Sequence, residues 1–210
     1  MFSGTNLSDA LRVVASSLQT PVICVLLVLL AAMAVMAGTL IAELFTERMQ
    51  LKAKLPKLVD TLKNSRSPLE EAIQNSGLLK RQKKALLELT RHQELKPVMR
   101  EALAERLVYE EREHYDVITK ITDIIARIGP MFGLLGTLIP LGPGIIALGR
   151  GDTYTLSTSF LTAFDTTIAG LVVAALALVI SAIRKKWYAN YMSILELVME
   201  CVLEVENSRE

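Results

Sequence analysis

The sequence is poor in the residues that build metal and redox centres. Its 210 residues include two cysteines and two histidines. His92 and His114 each stand alone in charged surroundings, with no cysteine or second histidine at ligand spacing, which argues against a metal site. Also missing are a nucleophile elbow, a phosphate loop ending in lysine and paired catalytic carboxylates. Neither an enzyme nor a bound cofactor is expected. Net charge is almost absent as well, because 23 Lys+Arg face 22 Asp+Glu. That excludes a highly basic nucleic-acid binder. Lys80-Arg81-Gln82-Lys83-Lys84 is a short basic run, but Glu88 and Glu94 follow closely, and it reads as a solvated helix face.

Charge is also absent locally, and this is the informative absence. Val22 to Ala42 and Ile128 to Gly149 hold no charged residue, and Gly151 to Ile183 holds only Asp152 and Asp165. The chain is nevertheless 21% charged with a mean hydropathy of +0.39, so apolar and charged residues are segregated along it. Such a pattern excludes an ordinary soluble globule and a disordered chain. A helix needs about 20 apolar residues to cross about 30 Å of hydrocarbon. The expected fold is an all-α membrane protein with transmembrane helices at 21–42, 128–149 and 156–183 and long cytoplasmic helical extensions. Five glycines and three prolines interrupt residues 128–148 of the second span.

Lysine and arginine set the direction. The stretch 43–122 carries 16 of them and Arg184-Lys185-Lys186 closes the third span, whereas residues 1–20 have only Arg12 and the turn between spans two and three only Arg150. The N-terminus is thus expected outside the cell (inner) membrane, with 43–127 and the tail helix 184–210 in the cytoplasm and 150–155 an external turn. Leu7, Leu11, Val14 and Leu18 give segment 1–20 an apolar face for the lipid of the outer membrane surface. The first span lacks the basic n-region of a cleaved signal. Cys24 and Cys201 fall in different compartments on this topology, so no intrachain disulfide is expected. Within 43–127, Glu43 to Leu62 continues the first span, Ser67-Pro68 starts a helix running to about His92, and Pro97 marks a boundary. From Val98 one helix is expected to run into span two.

Span three carries Ala163, Thr167, Gly170, Ala174, Ala177 and Ser181 in alternating steps of four and three, a stripe of small residues that admits another backbone. Thr155, Ser159, Thr162 and Thr166 run beside it. Span two matches with Gly129, Gly133, Gly136, Pro140, Pro143 and Ala147, and Thr137 lies one residue off that stripe. Small residues pack helices, and a threonine hydroxyl commonly bonds its own i−4 carbonyl. Several hydroxyls at one depth in two adjacent helices also suit a polar path. Asp165 is the only charged residue deep in a span, either an ion relay or a structural carboxylate.

The run Gly129-Pro-Met-Phe-Gly-Leu-Leu-Gly-Thr137, followed by Thr166-Thr-Ile-Ala-Gly-Leu171, resembles the MotA/TolQ/ExbB proton-channel family, as does the order of spans. The resemblance implies a homo-pentamer around a single-span partner of the ExbD/TolR/MotB type that carries an intramembrane Asp. It implies a proton-motive-force-driven, stator-like motor in which ion flow past that Asp does mechanical work. By motif position Thr137 and Thr167 resemble pore-lining threonines, with Thr162, Asp165 and Thr166 as further candidates for the ion pathway. Two departures stand out. A Glu common five residues before the second threonine is Thr162 here, with Asp165 one turn away, and Pro140-Leu-Gly-Pro143 replaces a more regular stretch. The rival expectation is a passive helical scaffold or assembly factor that uses the same stripes only for packing.

Overall fold

The computed structural model describes residues 4–46, 69–74, 76–92 and 94–207. Its elements are α1 (Gly4–Ser17), α2 (Gln19–Thr46), α3 (Leu69–Gln74), α4 (Lys80–Arg91), α5 (Pro97–Gly149) and α6 (Thr153–Asn207), with no strand among the described residues. Three helical stretches, Ala10–Leu44, Pro97–Gly149 and Thr153–Val205, are long and apolar enough to cross a membrane. The chain divides into two units, one of residues 1–38 and 121–181, the other of residues 39–120 and 182–210.

In the first unit α1 runs almost directly into α2. The Leu18 N–H donates to the Val14 carbonyl at 3.2 Å and the Val22 N–H to the Leu18 carbonyl at 3.0 Å, so helical bonding crosses the joint. Pro21 has no N–H to give to residue 17, which accounts for an interruption of a single residue. The amphipathic segment expected at 1–20 is thus helical over residues 4–17 and follows into α2 with a single-residue interruption. Along α2, Val22, Leu26 and Met33 are buried, while Leu7, Leu11, Val14 and Leu18 stay exposed within the chain.

Helix α5 stays helical through Pro130, Pro140 and Pro143. The turn after it is shorter than expected, because α6 already begins at Thr153. Gly151 takes a left-handed φ of 73°, a conformation that L side chains resist. Asp152 caps α6 by accepting from the Thr155 N–H at 3.0 Å and the Thr155 hydroxyl at 2.5 Å. Those bonds hold its carboxyl below the usual carboxylate range. The polar run 153–155 thus forms the first turn of a capped helix rather than a loop.

The second unit has a core built from α4, the start of α5 and the end of α6, with Leu86, Leu89, Ala104, Leu195, Val198 and Val202 buried together. The single helix expected up to His92 is broken into α3 and α4. Ser76 turns both its N–H (3.2 Å) and its hydroxyl (2.5 Å) onto the Ile73 carbonyl, and Gly77 follows. Ser76-Gly77 is a breaker that outweighs the propensity of its neighbours. The rest of the expected extension of α2 to Leu62, and the start at Ser67-Pro68, lie outside the described residues. The basic run is partly engaged: Arg81 grips the Glu111 carboxylate at 2.9 and 3.1 Å, and Lys83 Nζ donates to the Gln74 carbonyl at 2.8 Å.

Two polar ties in this unit had no sequence signal. Gln82 is 1% exposed; its amide accepts from the Leu79 N–H at 3.1 Å and donates to the Tyr191 carbonyl at 2.9 Å. Gln82→Ala removes a partner from one buried and one half-buried backbone group, so unfolding in detergent followed by circular dichroism should show a loss of about 1–3 kcal/mol. Arg184 is the other tie. It is buried, donates to the Thr39 hydroxyl at 2.9 Å and lies 3.5 Å from Glu43. The Tyr188 hydroxyl donates to the same carboxylate at 3.3 Å, and burial, then the Glu43 charge, pushes the phenol above its ordinary range. Of the three basic residues that close span three, Arg184 is therefore an internal cation joining α2 to α6.

Candidate functional site

Within the first unit, α5 and α6 meet along a seam of backbone. A methyl added to Gly170 would lie 2.7 Å from both the Gly129 carbonyl oxygen and the Gly133 Cα, and one added to Gly136 would lie 2.6 Å from the Thr166 Cβ. No L side chain fits at either point, so glycine is required by contact rather than by conformation. Ala163, Ala174 and Ala177 are buried on α6, and Gly133, Gly136 and Pro140 on α5.

Pro143 departs from the expected stripe. It is exposed within the chain, and Gly144 is buried in its place, where an added methyl would sit 3.1 Å from the Ser159 Cβ. A step of four from Pro140 turns about 40° from the seam and a step of three about 60°, so the later residue stays closer to it. Both routes arrive at Ala147, and periodicity alone does not choose between them.

Thr137 and Thr167 face each other across this seam, and their hydroxyls form a hydrogen-bonded pair. The Thr137 hydroxyl also reaches the Gly133 carbonyl at 3.0 Å and, across the interface, the Ala163 carbonyl at 3.3 Å; the Thr167 hydroxyl reaches that same Ala163 carbonyl at 3.1 Å. Both residues are half-buried, at the edge of the seam rather than inside it. In such a pair one hydroxyl donates to the other and the second donates to a carbonyl, leaving oxygen lone pairs turned to the open edge. That arrangement can coordinate a proton carrier, a water or a small cation, and it cannot titrate near neutral pH.

The other three candidates lie elsewhere. Thr166 is buried under Gly136, and its hydroxyl donates to the Thr162 and Ala163 carbonyls at 3.0 Å. It fills the seam. Thr162 is half-buried and donates to the Thr158 carbonyl at 3.0 Å. Asp165 is exposed, about 160° around α6 from Thr167, on a face shared with the exposed Thr158. The seam therefore joins Thr137 to Thr167 and does not bring Asp165 to them. Among the described residues, no group of three or more His, Cys, Asp or Glu is placed to hold a metal.

Three helices long and apolar enough to span, two of them sealed together by glycine, define a multi-pass all-α membrane protein. Residues 39–197 match the MotA/TolQ/ExbB proton channel family, and the chain belongs to it. The match covers α5 in full and most of α6, so it bears out the resemblance carried by Gly129–Thr137 and Thr166–Leu171. The family is one of proton channels, a transport class, and the chain is an ion-channel subunit in that general sense. No curated protein matches the chain.

Proposed function

We propose that the chain is the ring-forming, ion-conducting subunit of a stator-like motor driven by proton-motive force. Five copies would surround a single-span ExbD/TolR/MotB-like partner whose intramembrane Asp supplies the titrating group. The observation that carries this reading is the Thr137–Thr167 hydroxyl pair, set at the half-exposed edge of the seam at the two motif positions. An elementary charge crossing 100 mV releases about 2.3 kcal/mol, the energy available per ion for mechanical work. Asp165 adds support for a ring. A carboxylate facing hydrocarbon at mid-span costs about 2.5–3.5 kcal/mol on insertion scales, and that cost is avoided when the exposed face of α6 meets another copy or a wet channel. The charge asymmetry supports an N-terminus outside the inner membrane and helical extensions in the cytoplasm.

The scaffold reading draws on a specific feature too. The hydroxyls of Thr158, Thr162 and Thr166 all donate to carbonyls of their own helix, as packing threonines do. Ion flux separates the two readings. The complex purified from its native membrane is reconstituted in vesicles with a pH-sensitive dye inside, and a potassium diffusion potential is applied. Potential-driven proton entry is expected with the single-span partner present and not with the isolated chain. Absence of any ion flux from the complete complex defeats the channel reading.

A further inference from the structure

One polar contact of the hairpin, at the inner end of the small-residue stripe, has no part in the threonine pair. Ser181 of α6 is 3% exposed, and its hydroxyl donates to Asp123 Oδ1 of α5 at 2.5 Å. Asp123 itself is half-exposed, and its neighbour Thr122 is fully buried.

The position of this contact is informative. Asp123 precedes Thr137 by fourteen residues and Ser181 follows Thr167 by fourteen, so the antiparallel register carries both helices inward together by about 21 Å. Fourteen residues are nearly four turns, with a net rotation of about 40°, so Asp123 returns to the side of α5 that bears Thr137. The two inter-helix polar pairs therefore occupy one edge of one seam, near opposite ends of its glycine and alanine stretch. Between them the interior is closed, since Gly129, Gly133 and Gly170 pack backbone on backbone. An ion travelling between the pairs has to follow the open edge, where Asp123 is half-exposed and where Leu171 and Leu178 are exposed. A carboxylate at the hydrocarbon boundary is best explained by water, protein or an ion in front of it.

We infer that Asp123, oriented by Ser181, is a second ion-handling group of this subunit, an acceptor at the inner end of the pathway that passes protons or small monovalent cations to and from the side bearing the helical extensions. This rests on the channel reading. The threonine pair coordinates and does not titrate. Asp123 brings a group that can take up a proton, half-exposed at the edge, while the Ser181 bond fixes its rotamer. No bond other than O–H is made or broken in the step: the carboxylate takes up the proton on one side and returns it on the other.

The alternative role is a structural latch, and substitution at the two positions separates them. Asp123→Asn keeps an oxygen that accepts from Ser181 and removes the titrating carboxylate. Potential-driven flux through the reconstituted native complex is expected to fall at least tenfold, with an unchanged melting temperature and elution volume, and Asp123→Glu is expected to restore it. Flux at the wild-type level in Asp123→Asn overturns the inference while leaving the channel reading intact. Absence of flux in the wild-type complex overturns both. If Asp123→Asn fails to assemble, Ser181→Ala decides, because it removes the hydrogen bond and retains the carboxylate. Flux per assembled complex lowered several-fold supports the inference, and flux per assembled complex at the wild-type level, with only the melting temperature lowered as for a latch, overturns it.

Discussion

Gly170→Leu should unfold the hairpin, and it should be the most damaging single substitution in the first unit. The contact it meets is backbone on two sides, with the Gly129 carbonyl oxygen and the Gly133 Cα each 2.7 Å from the first added carbon. A flexible side chain could turn away, but two main chains cannot, so α5 and α6 have to separate along the whole seam. Overpacking a well-filled interior costs about 1–3 kcal/mol even where side chains can shift. A clash with backbone belongs at or above the upper end. The membrane adds nothing to offset it, because lipid tails are as apolar as the helices, and association rests on close packing. Thermal unfolding in detergent should show a large drop in midpoint and little folded protein after purification. Gly142→Ala is the control. An added methyl there meets nothing within 4 Å, and alanine in place of a helical glycine gains about 0.5–1 kcal/mol, so the midpoint should hold or rise. Equal melting of Gly170→Leu and wild type would exclude the backbone contact.

The architecture was legible because hydrophobic length is a coarse signal that tertiary contacts do not override. Charge-free runs marked all three membrane helices, and the one-residue drift between Pro143 and Gly144 did not disturb the seam they form. Boundaries were less legible where one polar residue decides them. Asp152 turns a polar stretch into the first turn of α6, and Ser76-Gly77 splits a pattern that otherwise continues. The site was legible in part. Thr137 and Thr167 were found by motif, and their pairing follows from the glycine stripe that brings the helices together. Thr166 shares their composition but sits about 100° further round α6, inside the seam, and only the partner helix distinguishes the two positions. The buried polar ties at Gln82, Arg184 and Ser181–Asp123 were invisible for a related reason. Each meets a group far away in sequence, and a single chain read in order has no cue for which distant partner that is.

Removing both hydroxyls of the threonine pair should stop ion coupling while leaving the assembly in place. Thr137→Val with Thr167→Val keeps shape and volume nearly constant, so the glycine contacts above and below the pair are untouched. The hydrogen bonds that disappear are inexpensive. The Gly133 and Ala163 carbonyls lie within helices, and a polar contact between membrane helices contributes about 0.6 kcal/mol on average. Melting temperature and oligomeric size should therefore stay close to wild type. Conduction should not. A carboxylic acid or a hydrated ion passing the pair loses the polar wall it offers and meets methyl groups, and each 1.36 kcal/mol added to that barrier slows passage about tenfold. A loss of at least tenfold in potential-driven flux is expected for the double variant. Either single variant should lose less, because the remaining hydroxyl is freed from its partner and turns to the open edge. That predicts a strongly non-additive cycle, the mark of two groups acting as one. The double serine variant, Thr137→Ser with Thr167→Ser, keeps both oxygens without the methyls and should conduct. A passive scaffold behaves differently: the double valine variant would retain every activity of the complex, and the double serine variant, which loses two packing methyls from the seam, would be the weaker of the two.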